Sequence, residues 1–221
     1  MAARQLTSTP FIVDSIETVD SKMKLLQQAQ DEFATFDQQK VNHIFKSVAH
    51  AANKQRIYLA QLAAKDVGCM EDKVIKNAVA CELTLGKYLG AKTVGIIEED
   101  PIRKLTKYAV PVGPVASIIP MTNPTSTVIT KALFALKTRN AMMFLPHPRS
   151  TFASSEATRI CAEAAVKAGA PANILQCVNP DRAVSNHVMH HPVINLLVAT
   201  GGPSMVQACY ASGKPALGVG R

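Results

Sequence analysis

The sequence predicts an α/β protein in which a five-stranded parallel sheet follows a helical N-terminal segment. Three observations predict it. Apolar residues up to about residue 100 recur at helical spacing. The pattern changes at Pro101, and Leu105 to Val110 then alternates as a half-buried strand does. From Val115 onward, five short apolar runs are separated by four helical stretches, as expected of strands covered on both faces of a parallel sheet.

The elements follow in order. Leu25, Leu26, Ala29, Phe33 and Phe36 place a first helix. Asp37 caps a second, with Phe36 and Val41 spaced as a hydrophobic staple across the cap. Val41, Ile44, Phe45, Val48 and Ala52 form its apolar face. A third helix spans 56–67 and is stopped by Gly68. A fourth begins near Glu71, where Asp72 and Lys76 make an i,i+4 pair. The charges on these helices read as solvated faces, and nothing in this half converges on chemistry. The strand at 105–110 suits a hairpin. The later strands are expected at 115–119, 141–145, 174–178, 194–199 and 216–219, with helices at 126–136, 151–168, 183–190 and 203–211. Gly169 closes the second of these helices, and Pro171 follows at the usual offset. The chain thus divides into a helical segment (1–100), a bridging strand (101–112) and a sheet domain (113–221).

Composition excludes several function classes. The net charge is +8, but the 24 lysines and arginines are dispersed, and aromatic residues make up 5% with no tryptophan. This argues against nucleic acid and suits phosphorylated small molecules. No apolar run reaches the roughly 18 residues that span a bilayer, and no signal-peptide core is present, so no membrane partner and a cytoplasmic location are expected. The five cysteines are odd in number and lack CxxC spacing, which points to a reducing compartment and away from zinc. They read as buried packing residues. His187 and His191 are four apart, with His190 between them. No acidic residue is near in sequence and Pro192 ends the helix, so structural or capping roles and no metal are expected.

Ligands of parallel sheets bind beyond the carboxyl ends of the strands. After the first strand comes Pro120-Met121-Thr122-Asn123-Pro124. Asn at N-cap and Pro at N1 describe a plain helix start, yet the same placement lets the Asn123 amide donate to a developing oxyanion. After the fourth comes Ala199-Thr200-Gly201-Gly202-Pro203-Ser204. Its paired glycines are either a tight turn or a close approach of backbone amides to phosphate. The strict GxGxxG fingerprint is absent. His147, between Pro146 and Pro148, is either a surface residue or a ligand contact on the same rim.

Taken together, Pro111-Val112-Gly113-Pro114-Val115, Ile119-Pro120-Met121-Thr122-Asn123-Pro124-Thr125-Ser126-Thr127, Leu136-Lys137-Thr138-Arg139-Asn140, Pro146-His147-Pro148-Arg149, Ala168-Gly169-Ala170-Pro171, Ala199-Thr200-Gly201-Gly202 and Ser212-Gly213-Lys214-Pro215-Ala216-Leu217-Gly218-Val219-Gly220 resemble the aldehyde dehydrogenase superfamily. With Glu71-Asp72-Lys73-Val74-Ile75-Lys76-Asn77, the resemblance is to the CoA-acylating acetaldehyde dehydrogenase module of bifunctional aldehyde–alcohol dehydrogenases. It implies an aldehyde dehydrogenase-like fold, a five-stranded NAD domain with part of an oligomerisation hairpin. It also implies NAD as cofactor, coenzyme A as co-substrate, an aldehyde substrate, and a homo-oligomer for the intact enzyme. Asn123 matches the oxyanion asparagine, and Pro120, Met121 and Thr122 line the entrance. His147 and Pro148 fall near the adenosine ribose, Gly169 and Pro171 beside the adenine, and Thr200, Gly201, Gly202 and Ser204 near the pyrophosphate.

Two departures refine this. Hydrolytic members carry Glu-Leu-Gly-Gly where this chain has Ala216-Leu217-Gly218. Without that carboxylate water is not activated, and a thioester survives until coenzyme A attacks it. The family nucleophile follows the segment Gly218–Gly220, and none of Cys69, Cys81, Cys161, Cys177 and Cys209 matches it. The implied reaction is NAD-dependent oxidation of acetaldehyde to acetyl-CoA, or its reverse, as in fermentation. These 221 residues stop before the catalytic cysteine and domain and are expected to be inactive alone; the alternative is a non-catalytic fragment that at most binds NAD.

Overall fold

The N-terminal half is built from four helices: α1 (Ile16–Phe33), α2 (Gln38–Lys54), α3 (Arg56–Val67) and α4 (Met70–Tyr88). They belong to a computed structural model that describes residues 13–67 and 69–220; the expected stop at Gly68 lies outside the described residues. Ser15 caps α1 by accepting the Thr18 N–H at 3.2 Å, and Asp37 caps α2 by accepting the Lys40 N–H at 2.8 Å. The apolar face of α2 is buried as its spacing requires. On α1, Leu26, Ala29 and Phe33 are buried while Leu25 faces solvent, and Phe36 lies past the helix end, its ring edge-on to Phe33 at 5.2 Å. Asp72 and Lys76 form the expected ion pair at 2.7 Å.

The helical half is shorter than its composition suggests. It ends at Tyr88, and Gly95–Asp100 is a strand, β1, paired antiparallel with β2 (Leu105–Ala109). Acidic Glu98, Glu99 and Asp100 conceal β1 in the sequence, because this hairpin buries neither face and so shows no apolar alternation.

The second half is the expected parallel sheet: β3 (Val115–Ile119), β4 (Met142–Pro146), β5 (Leu175–Cys177), β6 (Leu196–Thr200) and β7 (Ala216–Val219), in the order β5-β4-β3-β6-β7. The crossovers are α5 (Pro124–Lys137), a 3-10 turn (Pro148–Ser150) leading into α6 (Thr151–Lys167), α7 (Arg182–His190) and α8 (Pro203–Ala211). The chain runs outward from β3 through β4 to β5, then returns to the other side of β3 as β6. That reversal makes the β3–β6 boundary the topological switch point, where the outgoing loops diverge and leave a crevice. β3 and β4 are buried along their length, whereas β7 alternates because one face of this edge is uncovered.

Gln30 ties the halves together. Its amide donates to the Arg139 carbonyl at 2.9 Å and its oxygen accepts the Ala141 N–H at 2.6 Å, in a buried setting. Entry to the sheet needs a glycine at 113. Its φ is +112°, and a Cβ there would overlap Asn195 Nδ2, which donates to the Val112 carbonyl at 2.9 Å. One continuous apolar core runs from Met23 and Phe33 of α1 through the sheet to Cys209 of α8.

Candidate functional site

A cleft of about 570 Å³ opens at the carboxyl ends of β3, β4 and β6, over the switch point. Three loops line it: Pro120-Met121-Thr122, Pro146-His147-Pro148 and Thr200-Gly201-Gly202. Eight expected residues are thereby brought together: Pro120, Met121, Thr122, His147, Pro148, Thr200, Gly201 and Gly202. Asn123 lines an adjoining groove, which meets the cleft at Thr200 and Val219.

Three expected residues lie elsewhere. Ser204 is exposed on the first turn of α8 and does not line the cleft. Gly169 and Pro171 sit in the connection from α6 to β5, at the amino end of the sheet. In a parallel sheet each crossover helix carries the chain back to the starting edge, so a loop that precedes a strand stands opposite the rim. The loop that leaves β5, Asn179-Pro180-Asp181, instead adjoins Pro148 and Arg149 in a second groove.

The cleft also uses residues that sequence reasoning missed. Ser185 and Met189 are one turn apart on α7, and Met205 lies on α8. Their i,i+4 spacing was a readable signal, but only the topology says which face of α7 meets the rim.

The β7 contribution corrects the motif alignment. Ala216 pairs with Leu197, whereas Val219 pairs with Thr200 at the rim and lines both cleft and groove. Ala216, the position set against the Glu-Leu-Gly-Gly glutamate, does not line the cleft, and Val219, which does, carries no proton acceptor. Among the described residues, no aspartate or glutamate lines the cleft or the groove.

Asn123 stands at the N-cap of α5, but its side chain makes no capping bond. Its oxygen instead accepts from Lys73 Nζ at 3.1 Å, and Lys73 also donates to the Thr122 carbonyl at 2.7 Å. One turn along α4, Asn77 accepts from the Thr125 hydroxyl at 2.8 Å. Two residues of the helical half therefore hold the β3–α5 loop and the first turn of α5, contacts that the helical pattern alone did not announce. With the carboxamide oxygen held by an ammonium, the amide N–H groups are the side available for donation.

Lys131 of α5 lies beneath the switch point and donates to the Ile118 carbonyl at 2.8 Å and the Val198 carbonyl at 3.0 Å. Burial pushes its ammonium down to about 7. His147 Nδ1 accepts the Arg149 N–H at 3.2 Å, which leaves Nε2 as the donor in the neutral ring. The helices α5 and α8 both begin at this rim with Pro at N1, so their positive ends favour anions there.

Three cysteines, Cys81, Cys161 and Cys209, are buried as expected; Cys177 is half-buried and Cys69 is exposed, with φ of 54° before α4. Burial raises the Cys81 thiol to about 12 and raises those of Cys161 and Cys209 as well, the opposite of nucleophile activation. The histidine expectation needs one correction. His190 caps its own helix, with Nδ1 at 2.9 Å from the Asn186 carbonyl, but His187 does have an acidic partner: Asp20 of α1, 2.6 Å away and 167 residues distant in sequence.

The profile of the Aldehyde dehydrogenase family matches residues 11–217. The bifunctional aldehyde-alcohol dehydrogenase of Escherichia coli is 45% identical over 211 residues, covering 94% of this chain and 24% of that protein. The crystal structure of an acetylating aldehyde dehydrogenase from Geobacillus thermoglucosidasius superimposes with a TM-score of 0.90 at 42% identity, covering 92% of this chain and 46% of that one. A propionaldehyde dehydrogenase from Rhodopseudomonas palustris, solved with bound CoA and an acylated cysteine, gives 0.75 at 26% identity, covering 90% and 46%. The chain thus spans about a quarter of the bifunctional relative and just under half of the solved ones.

Proposed function

This chain belongs to the aldehyde dehydrogenase family, and from that premise we propose that its cleft is the NAD site of a CoA-acylating acetaldehyde dehydrogenase. The intact enzyme converts acetaldehyde, NAD and coenzyme A to acetyl-CoA and NADH, or runs the reverse. NAD supplies the hydride acceptor. No cysteine among the described residues lines the cleft or the adjoining groove, and an assay of this polypeptide alone is expected to show no dehydrogenase turnover.

The observation that carries this reading is the shared rim: Pro120-Met121-Thr122 and Thr200-Gly201-Gly202 line one cleft at the switch point. The residues present suit a dinucleotide. A Cβ built on Gly202 meets nothing within 4 Å, so the space beside its backbone is open to a phosphate. The α8 dipole and the lack of lining carboxylates favour a pyrophosphate, and the His147 Nε2–H is placed to donate to a ribose hydroxyl. The adenosine end extends past Pro148 toward Asn179-Pro180-Asp181. Asn123, oriented by Lys73, donates to the substrate oxygen as it gains charge. With no carboxylate beside Val219 among the described residues, a thioester is left to coenzyme A rather than to water. The β1–β2 hairpin, exposed on both faces, is the oligomerisation element.

Calorimetric titration of the chain with NAD tests the site. A saturable heat is expected, and Gly202→Phe, which fills the open space, removes it while leaving the fold intact. Absence of any heat, or full binding by Gly202→Phe, would overturn the assignment.

A further inference from the structure

We propose that Asp20, His187 and His191 form a binding site for a divalent cation of the zinc type, at the seam between α1 and α7. This inference is independent of the nucleotide cleft, since none of the three residues lines it.

The three side chains reach one point from two elements. His187 Nε2 lies 2.6 Å from Asp20 Oδ1 and His191 Nε2 lies 3.4 Å from the same oxygen. All three donor atoms fall within 4.8 Å of one another. His187 is in the last turn of α7 and His191 is its C-cap, four residues on, so both rings project from the same side of the helix end. Asp20 comes from the second turn of α1. A single imidazole would suffice to pair with one carboxylate; two converging on one oxygen make an N2O donor set of the kind zinc and its neighbours take.

The two edges to Asp20 fit with little movement, and the His187–His191 edge lies within 4.8 Å. Metal–ligand bonds of about 2.0–2.1 Å put tetrahedral donors about 3.3 Å apart. The His191–Asp20 edge of 3.4 Å already has that length. The His187–Asp20 pair, now a hydrogen bond at 2.6 Å, must open by about 0.7 Å to reach it. The Asp20 side chain is 44% exposed and free to make that shift, and water from the same side supplies a fourth ligand. His191 Nδ1 accepts the Val193 N–H at 3.2 Å, so the neutral ring carries its proton on Nε2, facing Asp20. The metal takes that position, the ring proton moves to Nδ1, and the Val193 N–H loses its acceptor. Lys24 and Lys214 stand close enough to oppose the added charge, which keeps the site weaker than a buried structural zinc. Occupancy would pin the N-terminal helix to the sheet domain.

Calorimetry of the chain with ZnCl2, paired with amide NMR, decides the matter. One Zn²⁺ per chain is expected, weakened at least about tenfold by Asp20→Asn and by His187→Gln. It should persist in His190→Gln and in Cys69→Ser, which removes the exposed thiol. The Val193 amide resonance should move on saturation of the unsubstituted chain, a readout that requires no variant. Absence of stoichiometric uptake, unchanged binding in both Asp20→Asn and His187→Gln, loss of binding in Cys69→Ser, or an unmoved Val193 amide would each overturn the proposal.

Discussion

Lys131 is a cationic side chain in surroundings that oppose its charge. An ammonium with 7% of its surface exposed sits under the switch point, held by two carbonyls. Its folded value of about 7 lies below the ordinary 10.5. Below about 7, folded and unfolded chains both carry the proton, and the folded state bears the full cost of burying it. Between about 7 and 10.5 the unfolded chain holds a proton that the folded chain has released, so stability rises with pH across that window. Denaturant melts at pH 7 and pH 9.5 should show that rise, and Lys131→Met should flatten it. Asn123 is the other telling residue. Its N-cap position was readable from Asn-Pro, but its release from capping was not, because Lys73 reaches it across 50 residues of sequence.

At the scale of elements, the sheet was the legible part. β3, β7 and α8 fall where apolar runs and bounding prolines and glycines place them, since strands buried between helix layers must be continuously apolar. Other features were hidden for identifiable reasons. β1 carries three acidic residues and buries nothing. Gly169 and Pro171 were placed by motif, and motif wording does not say at which end of a strand a loop emerges. The glycines at the two ends of the β7–α8 unit differ in kind. A Cβ on Gly218 would come within 2.5 Å of Val206 Cγ1 and 3.0 Å of the Tyr210 hydroxyl, which accepts the Gly218 N–H at 3.1 Å. Gly202 has open space and an ordinary φ of −68°. Urea melts should therefore show Gly218→Ala destabilised by about 1–3 kcal/mol and Gly202→Ala within about 0.5 kcal/mol of the parent. Equal effects at the two positions would contradict this division between packing and site.

At the scale of the whole molecule, the apolar groove beside the cleft stands out. Val79, Leu83, Phe134 and Val219 line it, and Leu83 and Val219 are 65% and 71% exposed. Contiguous apolar surface of this kind packs against further polypeptide or against itself. The 221-residue chain is therefore expected to self-associate with rising concentration in sedimentation velocity, and Leu83→Glu should reduce that association; a strictly monomeric parent would count against it.

The central claim is that one end of the sheet gathers the β3, β4 and β6 loops into a nucleotide site. Amide NMR of the chain titrated with NAD tests it most directly. Shifts are expected at Met121, Thr122, His147 and Thr200 to Gly202, and at Asn179 and Asp181 where the adenosine end extends, with the α6–β5 connection around Gly169 silent. Shifts centred on Gly169, or none at the rim at saturating NAD, would contradict it.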